Sequence, residues 1–86
     1  MAKRILVIDD AEPTLRLLQV ALGREGYEVV TEQNGESGLV SSFSQTPDLI
    51  ILDIALPDID GWEVLERIRD FTDTPVVMLT TVLIAR

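Results

Sequence analysis

An aspartate stands at the end of the most apolar segment of this chain. Residues 49–52 read Leu-Ile-Ile-Leu, and Asp53 follows them directly. A short apolar run of this kind is typical of a strand that is buried on both faces of a parallel sheet. Because a lone buried carboxylate is costly unless another group compensates its charge, Asp53 requires a partner.

Candidate partners follow the other apolar runs. Asp9 and Asp10 come directly after the first run, and Thr80 comes after the last. In an open parallel α/β sheet the carboxyl ends of the strands meet at one edge, where ligands bind. Three carboxylates at that edge repel one another, and a divalent cation relieves the repulsion. Oxygen ligands and a phosphate-bearing substrate suit Mg²⁺, so the pattern predicts a Mg²⁺ site in which Asp53 is a nucleophile for a phosphoryl group.

Each acid also has a simpler interpretation when it is taken singly. An acid between a strand and a helix is often only a helix cap, and one of Asp58 and Asp60 is expected to cap the third helix. Trp62 is expected to pack at the start of that helix. The metal site is favoured by the joint pattern, in which an acid pair, an acid and a hydroxyl follow three different strands.

The apolar pattern predicts four strands that alternate with three helices. The strands are predicted at 4–8, 27–32, 49–52 and 76–79. Apolar residues at helical spacing mark the three helices: Leu15, Leu18 and Leu22, then Leu39, Val40 and Phe43, then Val64, Leu65 and Ile68. Gly23 and Gly26 are expected to end the first helix. This alternation indicates β-α-β units, right-handed crossovers and a parallel sheet with helices on both faces.

Composition excludes several classes of site and partner. The 86 residues include no cysteine and no histidine, which removes disulfides, thiol catalysis and imidazole acid–base chemistry. The formal net charge of −8 argues against direct binding to nucleic acid or to an anionic membrane. No apolar run is long enough to span a bilayer, and the apolar part of the first ten residues is too short for a signal peptide. We therefore expect a cytoplasmic domain.

Three segments resemble the receiver domain of bacterial two-component response regulators. They are ILVIDD at 5–10, PDLIILDIALPDIDGWEVLERIR at 47–69 and PVVMLT at 75–80. The middle segment is the most specific, since it combines an apolar run, an aspartate, a Leu-Pro pair, an Asp-Gly pair and an amphipathic helix. The resemblance covers nearly all of residues 3–81. It implies a flavodoxin-like α/β fold with the strand order 2-1-3-4.

The resemblance also implies a role for each site residue. Asp53 corresponds to the phosphoacceptor, and Thr80 to the hydroxyl that moves to bind the new phosphoryl oxygens. Asp9, Asp10, Asp53 and the backbone carbonyl of Ala55 correspond to the ligands of Mg²⁺. The phosphoryl donor would be a phosphohistidine on a sensor histidine kinase or a phosphotransfer protein. Such a domain is a signalling module and not a turnover enzyme.

The sequence departs from the family pattern after the fourth strand. The family's domain continues through a fourth helix, a fifth strand and a fifth helix, so residues 1–86 are expected to form a truncated receiver domain. The lysine that the family places after the fifth strand has no counterpart here, because Lys3 precedes the first strand and belongs to the opposite edge. An open edge and an uncovered apolar face favour self-association, for which the apolar segment 76–85 is the candidate.

Two other functions are consistent with part of the pattern. One is a structural fragment that oligomerises through its open sheet edge and does not accept phosphate. The other is a phosphatase of the haloacid dehalogenase type, which also forms an aspartyl phosphate. That class requires a second acid two residues after the nucleophile, and Ala55 at this position argues against it.

Overall fold

A computed structural model describes residues 2–80 of the chain. The described residues form seven elements that alternate as the sequence predicts: β1 (Arg4–Ile8), α1 (Glu12–Arg24), β2 (Glu28–Glu32), α2 (Gly35–Ser44), β3 (Leu49–Asp53), α3 (Gly61–Arg69) and β4 (Val76–Leu79). No helix within these residues is both long and apolar enough to cross a membrane. The apolar segment 76–85, which the sequence predicts to mediate self-association, lies in part outside the described residues.

The four strands form one parallel sheet in the order β2-β1-β3-β4. This order confirms the flavodoxin-like arrangement, with strands added on both sides of β1 and β3. The register pairs Ile8 with Leu52 and Asp53 with Leu79. The ends of β1, β3 and β4 are therefore neighbours at one edge of the sheet.

Helices cover both faces of the sheet, as predicted. On one face, β1 and β3 pack against α2 and α3 through a cluster of buried residues: Leu6, Ile8, Ile50, Leu52, Val64 and Ile68. On the other face, Ile5, Val7 and Leu15 form a smaller cluster beneath α1. The alternate residues of β3, Leu49 and Ile51, are only partly buried on the α1 face. The expectation that β3 is fully buried on both faces is therefore correct for one face only.

The second helix buries its small residues and exposes its large apolar ones. Val40 and Phe43, two of the apolar residues that mark this helix in the sequence, are 66% and 70% exposed. Gly38 is buried instead, and a Cβ atom there would lie 2.6 Å from Cδ1 of Ile8. Buried Ser42 donates to the carbonyl oxygen of Gly38 at 2.8 Å. The glycine and serines that weaken the helical pattern are thus the residues that allow α2 to approach β1 closely.

The first helix ends one residue later than Gly23. Pro13 occupies its first turn, where the missing N–H costs nothing. Its last residue is Arg24, and Gly26 adopts the left-handed conformation with φ of 92°. Gly26 therefore turns the chain toward β2, while Gly23 stays within the last helical turn.

Candidate metal centre

Three carboxylates converge at the carboxyl edge of the sheet. Asp53 is the last residue of β3, and Asp9 and Asp10 follow β1 directly. Because β1 and β3 are paired neighbours, one oxygen from each of the three carboxylates lies within 4.8 Å of the others. The structure thus brings together the three acids that the sequence predicts to meet.

The three acids differ in their exposure. Asp9 and Asp53 are 0% and 1% exposed, whereas Asp10 faces solvent. Asp9 Oδ1 accepts a hydrogen bond from the Ala11 N–H at 2.8 Å, and Asp53 Oδ1 accepts one from the Ala55 N–H at 3.3 Å. Asp9 Oδ2 is buried and has no hydrogen-bond partner among the described residues.

The electrostatics of this cluster disfavour three simultaneous negative charges. Burial raises the pKa of the Asp9 carboxyl above its ordinary value, and the Ala11 N–H partly opposes this rise. The negative charges of Asp53 and Asp10 raise the pKa further, as does a hydrogen bond to Asp53 when Asp9 is protonated. The cluster therefore favours the binding of a positive charge.

The donor set fits Mg²⁺. All donors are hard oxygen atoms, two of them on buried carboxylates, and the buried Asp9 Oδ2 needs a partner. Mg²⁺ is bound through one or two carboxylates together with water and phosphate oxygens. Asp9, Asp10 and Asp53 would hold the ion, and a cation would compensate the burial of Asp53 that the sequence leaves unexplained.

The first residue of the third helix packs against the backbone at the end of β3. Gly61, its first residue, donates from its N–H to the carbonyl oxygen of Ile54 at 2.9 Å. A Cβ atom on Gly61 would lie 2.4 Å from the carbonyl oxygen of Asp53. Trp62 follows and is 52% exposed, so about half of its surface is covered at the start of α3. As the chain's only tryptophan, it provides a fluorescent probe beside the site.

The two loop aspartates cap different helices. Asp60 is the N-cap of α3, and its Oδ1 accepts from the Trp62 N–H at 2.7 Å. Asp58 instead accepts from the N–H groups of Gly35 and Glu36 in the first turn of α2. Sequence reasoning did not predict this second contact, since its partners lie more than twenty residues earlier in the chain.

Thr80 and Ala55 lie at the same edge as the acids. Thr80 follows Leu79, the register partner of Asp53, and the Ile54 N–H donates to the Leu79 carbonyl oxygen at 3.1 Å. Ala55 is exposed, two residues after Asp53. Lys3 precedes β1 at the opposite edge, as the sequence predicts.

The sequence model of the response regulator receiver domain matches residues 5–83. The chain belongs to this family. It is 46% identical over 81 residues to the alkaline phosphatase synthesis transcriptional regulatory protein PhoP of Bacillus subtilis, an alignment that covers 93% of this chain and 34% of that protein. It is 43% identical over 76 residues to the transcriptional regulatory protein AfsQ1 of Streptomyces coelicolor, with 88% and 34% coverage. This receiver chain spans about a third of the length of these relatives.

Solved receiver structures share the fold. A CheY-like receiver domain protein from Methanospirillum hungatei superposes with a TM-score of 0.91 at 32% identity, covering 96% of this chain and 67% of the other. The response regulator TrrA from Thermotoga maritima, solved in complex with Mg²⁺–BeF, gives a TM-score of 0.87 at 44% identity, with 93% and 70% coverage. A structure of the histidine kinase ThkA in complex with TrrA gives 0.87 at 45% identity, with 98% and 73% coverage.

Proposed function

We propose that this receiver chain is a phosphoacceptor in a two-component phosphorelay, with Asp53 as the residue that is phosphorylated. The observation that carries the proposal is the convergence of Asp9, Asp10 and Asp53, in which the buried Asp9 Oδ2 has no partner among the described residues. A core built only for stability gains nothing from two buried, mutually repelling carboxylates. A site that binds a cation and a phosphoryl group requires them.

Asp53 would act as the nucleophile. A carboxylate oxygen of Asp53 attacks the phosphorus atom of a phosphohistidine, so that an O–P bond forms while the N–P bond breaks. The imidazole nitrogen keeps the electron pair of the broken bond. Asp53 ends β3, which lies between β1 and β4, and this placement would orient the carboxylate for the attack.

The metal site supplies the electrostatic part of this reaction. Mg²⁺, when bound, neutralises charge on the phosphoryl oxygens and on the acid cluster. Asp9 and Asp10 would hold it with Asp53, and the backbone carbonyl of Ala55 would be a further ligand. The Thr80 hydroxyl would then donate a hydrogen bond to the phosphoryl group on the neighbouring strand.

The phosphoryl donor would be a sensor histidine kinase or a phosphotransfer protein. The chain has no histidine, so it cannot carry the donor group itself. The likeness to TrrA, which is solved in complex with the histidine kinase ThkA, supports this class of partner. Phosphorylation at one buried position would be communicated through a segment with two conformations.

Self-association would occur at the β4 side of the sheet. Among the described residues, β4 pairs with β3 on one side only, and Val77 is 51% exposed on the face that carries α1. Unpaired strand edges next to apolar surface promote association. Sedimentation across a concentration series tests this, with Val77→Lys as the variant expected to shift the protein toward monomer.

Intact mass measurement tests phosphorylation directly. The protein is incubated with MgCl₂ and acetyl phosphate, and we expect its mass to increase by one phosphoryl group. We expect no increase when a chelator removes Mg²⁺ before the incubation. Asp53→Asn is the matched control, because an amide keeps the shape of the side chain and lacks the nucleophile. A folded wild-type protein that gains no phosphoryl group, or an Asp53→Asn variant that gains one equally well, would contradict the assignment.

A further inference from the structure

One side chain ties the loop between β3 and α3 to the first turn of α2. Asp58 Oδ1 accepts a hydrogen bond from the Gly35 N–H at 2.7 Å, and Asp58 Oδ2 accepts one from the Glu36 N–H at 2.9 Å. These N–H groups have no partner within the helix, because the first turn of an α-helix leaves its amides unsatisfied. Both carboxylate oxygens of Asp58 therefore cap a helix that precedes this residue in the chain.

The junction between the loop and α2 is closely packed. Gly35 is buried, and a Cβ atom on it would lie 3.1 Å from the Cβ of Ile59 and 3.1 Å from Cγ2 of Val64. It would also lie 3.2 Å from Oδ1 of Asp58. The absence of a side chain at position 35 therefore allows the loop to lie directly on the end of the helix.

The start of α2 has a second, independent cap. Asn34 Oδ1 accepts from the Ser37 N–H at 2.8 Å, in the usual arrangement for an N-cap residue. The helix thus has its own local starting signal. Asp58 provides a different contact, which connects α2 to the loop after the phosphoacceptor strand.

That loop carries the functional groups of the site. It runs from Asp53, which is held in the sheet, to Gly61, whose N–H is bonded to Ile54. Ala55 lies between them, and its N–H makes only a long contact of 3.3 Å with Asp53 Oδ1. Asp58 attaches the middle of this loop to a separate element, three residues after Ala55.

From these contacts, and resting on the proposed function, we infer that Asp58 is a positioning residue for Mg²⁺ binding and phosphoryl acceptance. By holding the loop on α2, it keeps the Asp53 carboxylate and the Ala55 carbonyl in the arrangement that binds the ion before the phosphoryl group arrives. The bridge reduces the ordering that the loop must undergo on binding. It acts through the loop and touches neither the ion nor the phosphoryl group.

The test compares two caps of the same helix. Asp58→Ala removes the bridge between α2 and the loop, whereas Asn34→Ala removes the local cap and leaves the bridge in place. The dissociation constant for MgCl₂ is measured by Trp62 fluorescence and by calorimetry, and the rate of phosphorylation by acetyl phosphate is measured by intact mass. We expect Asp58→Ala to weaken Mg²⁺ binding by about tenfold, the lower end of the range for groups that orient metal ligands. Asn34→Ala is expected to lower the melting temperature and leave the Mg²⁺ dissociation constant unchanged.

A conservative variant keeps the test decisive if Asp58→Ala is too unstable to fold. Asp58→Asn retains one acceptor for the α2 amides, so we expect it to fold and to recover part of the Mg²⁺ affinity. If both Asp58 variants bind Mg²⁺ and accept phosphate like the wild type, the inference is wrong and the proposed function stands. If the wild type itself neither binds Mg²⁺ nor accepts phosphate, the proposed function fails, and the inference fails with it. If the wild type binds Mg²⁺ without accepting phosphate, the comparison of Mg²⁺ affinities still decides the role of Asp58.

Discussion

Gly61 lies directly against the backbone of Asp53. A Cβ atom at position 61 would stand 2.4 Å from the Asp53 carbonyl oxygen and 2.7 Å from the Cα atom of Ile54. Both neighbours are backbone atoms, so they cannot rotate away as a flexible side chain could. The first residue of α3 is therefore part of the geometry of the proposed phosphoacceptor site.

Gly61→Ala is expected to damage stability and the site together. The added methyl group must displace either α3 or the end of β3, and overpacking of this kind costs roughly 1–3 kcal/mol. Thermal unfolding should show a lower melting temperature, and the rate of phosphorylation by acetyl phosphate should fall at saturating Mg²⁺. A variant that keeps the wild-type rate of phosphorylation would show that the site tolerates movement of α3.

The apolar pattern is sufficient to predict the strands, and their order follows from the resemblance to receiver domains. Three of the strands are short, mainly apolar runs, and an acid or a hydroxyl stands at the end of each of these three. The register that pairs Asp53 with Leu79 therefore also brings these polar residues together. The resemblance to receiver domains adds the crossing order. These features are local or belong to the whole family, and they do not depend on how individual side chains pack.

The sequence did not predict features that depend on packing between elements. Either Asp58 or Asp60 could have capped α3, and only the placement of α2 beside the loop gives Asp58 a different helix to cap. Likewise, Val40 and Phe43 help to predict α2 by their helical spacing, yet the spacing does not show that both are exposed. The close approach of α2 to β1 favours small residues over large ones on the buried face.

Asp9→Asn is expected to stabilise the metal-free protein. An amide oxygen at position 9 can still accept from the Ala11 N–H, and the amide N–H can donate toward Asp53, while one buried negative charge disappears. Replacing a buried, poorly compensated carboxylate should gain on the order of 1 kcal/mol. For a domain of this size that gain corresponds to a rise of roughly 4–8 °C in melting temperature.

The same variant should lose the stabilisation that we expect Mg²⁺ to give to the wild type. A ligand that binds only the folded protein at a hundred times its dissociation constant adds about 2.7 kcal/mol of stability. Melting curves with and without MgCl₂ measure this difference for both proteins. Equal Mg²⁺-induced shifts in the wild type and in Asp9→Asn would exclude Asp9 from the metal site.

Two glycine-to-alanine substitutions in helices are expected to have opposite effects. A Cβ atom on Gly38 would lie 2.6 Å from Cδ1 and 2.9 Å from Cγ2 of Ile8, so Gly38→Ala should destabilise the protein by roughly 1–3 kcal/mol. Gly23 is exposed within α1 and has no atom within 4 Å of such a Cβ, so Gly23→Ala should stabilise the protein by up to about 1 kcal/mol. Urea unfolding measures both, and a stabilising Gly38→Ala would contradict the close packing of α2 on β1.

The bridge from Asp58 to α2 should make stability depend on pH in the acidic range. The N–H groups of Gly35 and then Glu36 lower the pKa of the Asp58 carboxyl below its ordinary value in the folded protein. The unfolded state therefore binds more protons than the folded state between the two pKa values, and stability rises with pH across that interval. The contribution of the Asp58 charge is complete above the unfolded pKa of about 4 and is lost as the pH falls through the lower folded value.

Asp58→Asn lacks this titration, so the difference in unfolding free energy between the wild type and this variant should be constant near neutral pH and should shrink below about pH 4. Urea unfolding of both proteins at a series of pH values measures the difference, which we expect to be modest because Asp58 is exposed to solvent. A difference that stayed constant through the acidic range would mean that the Asp58 charge does not contribute to the attachment of the loop to α2.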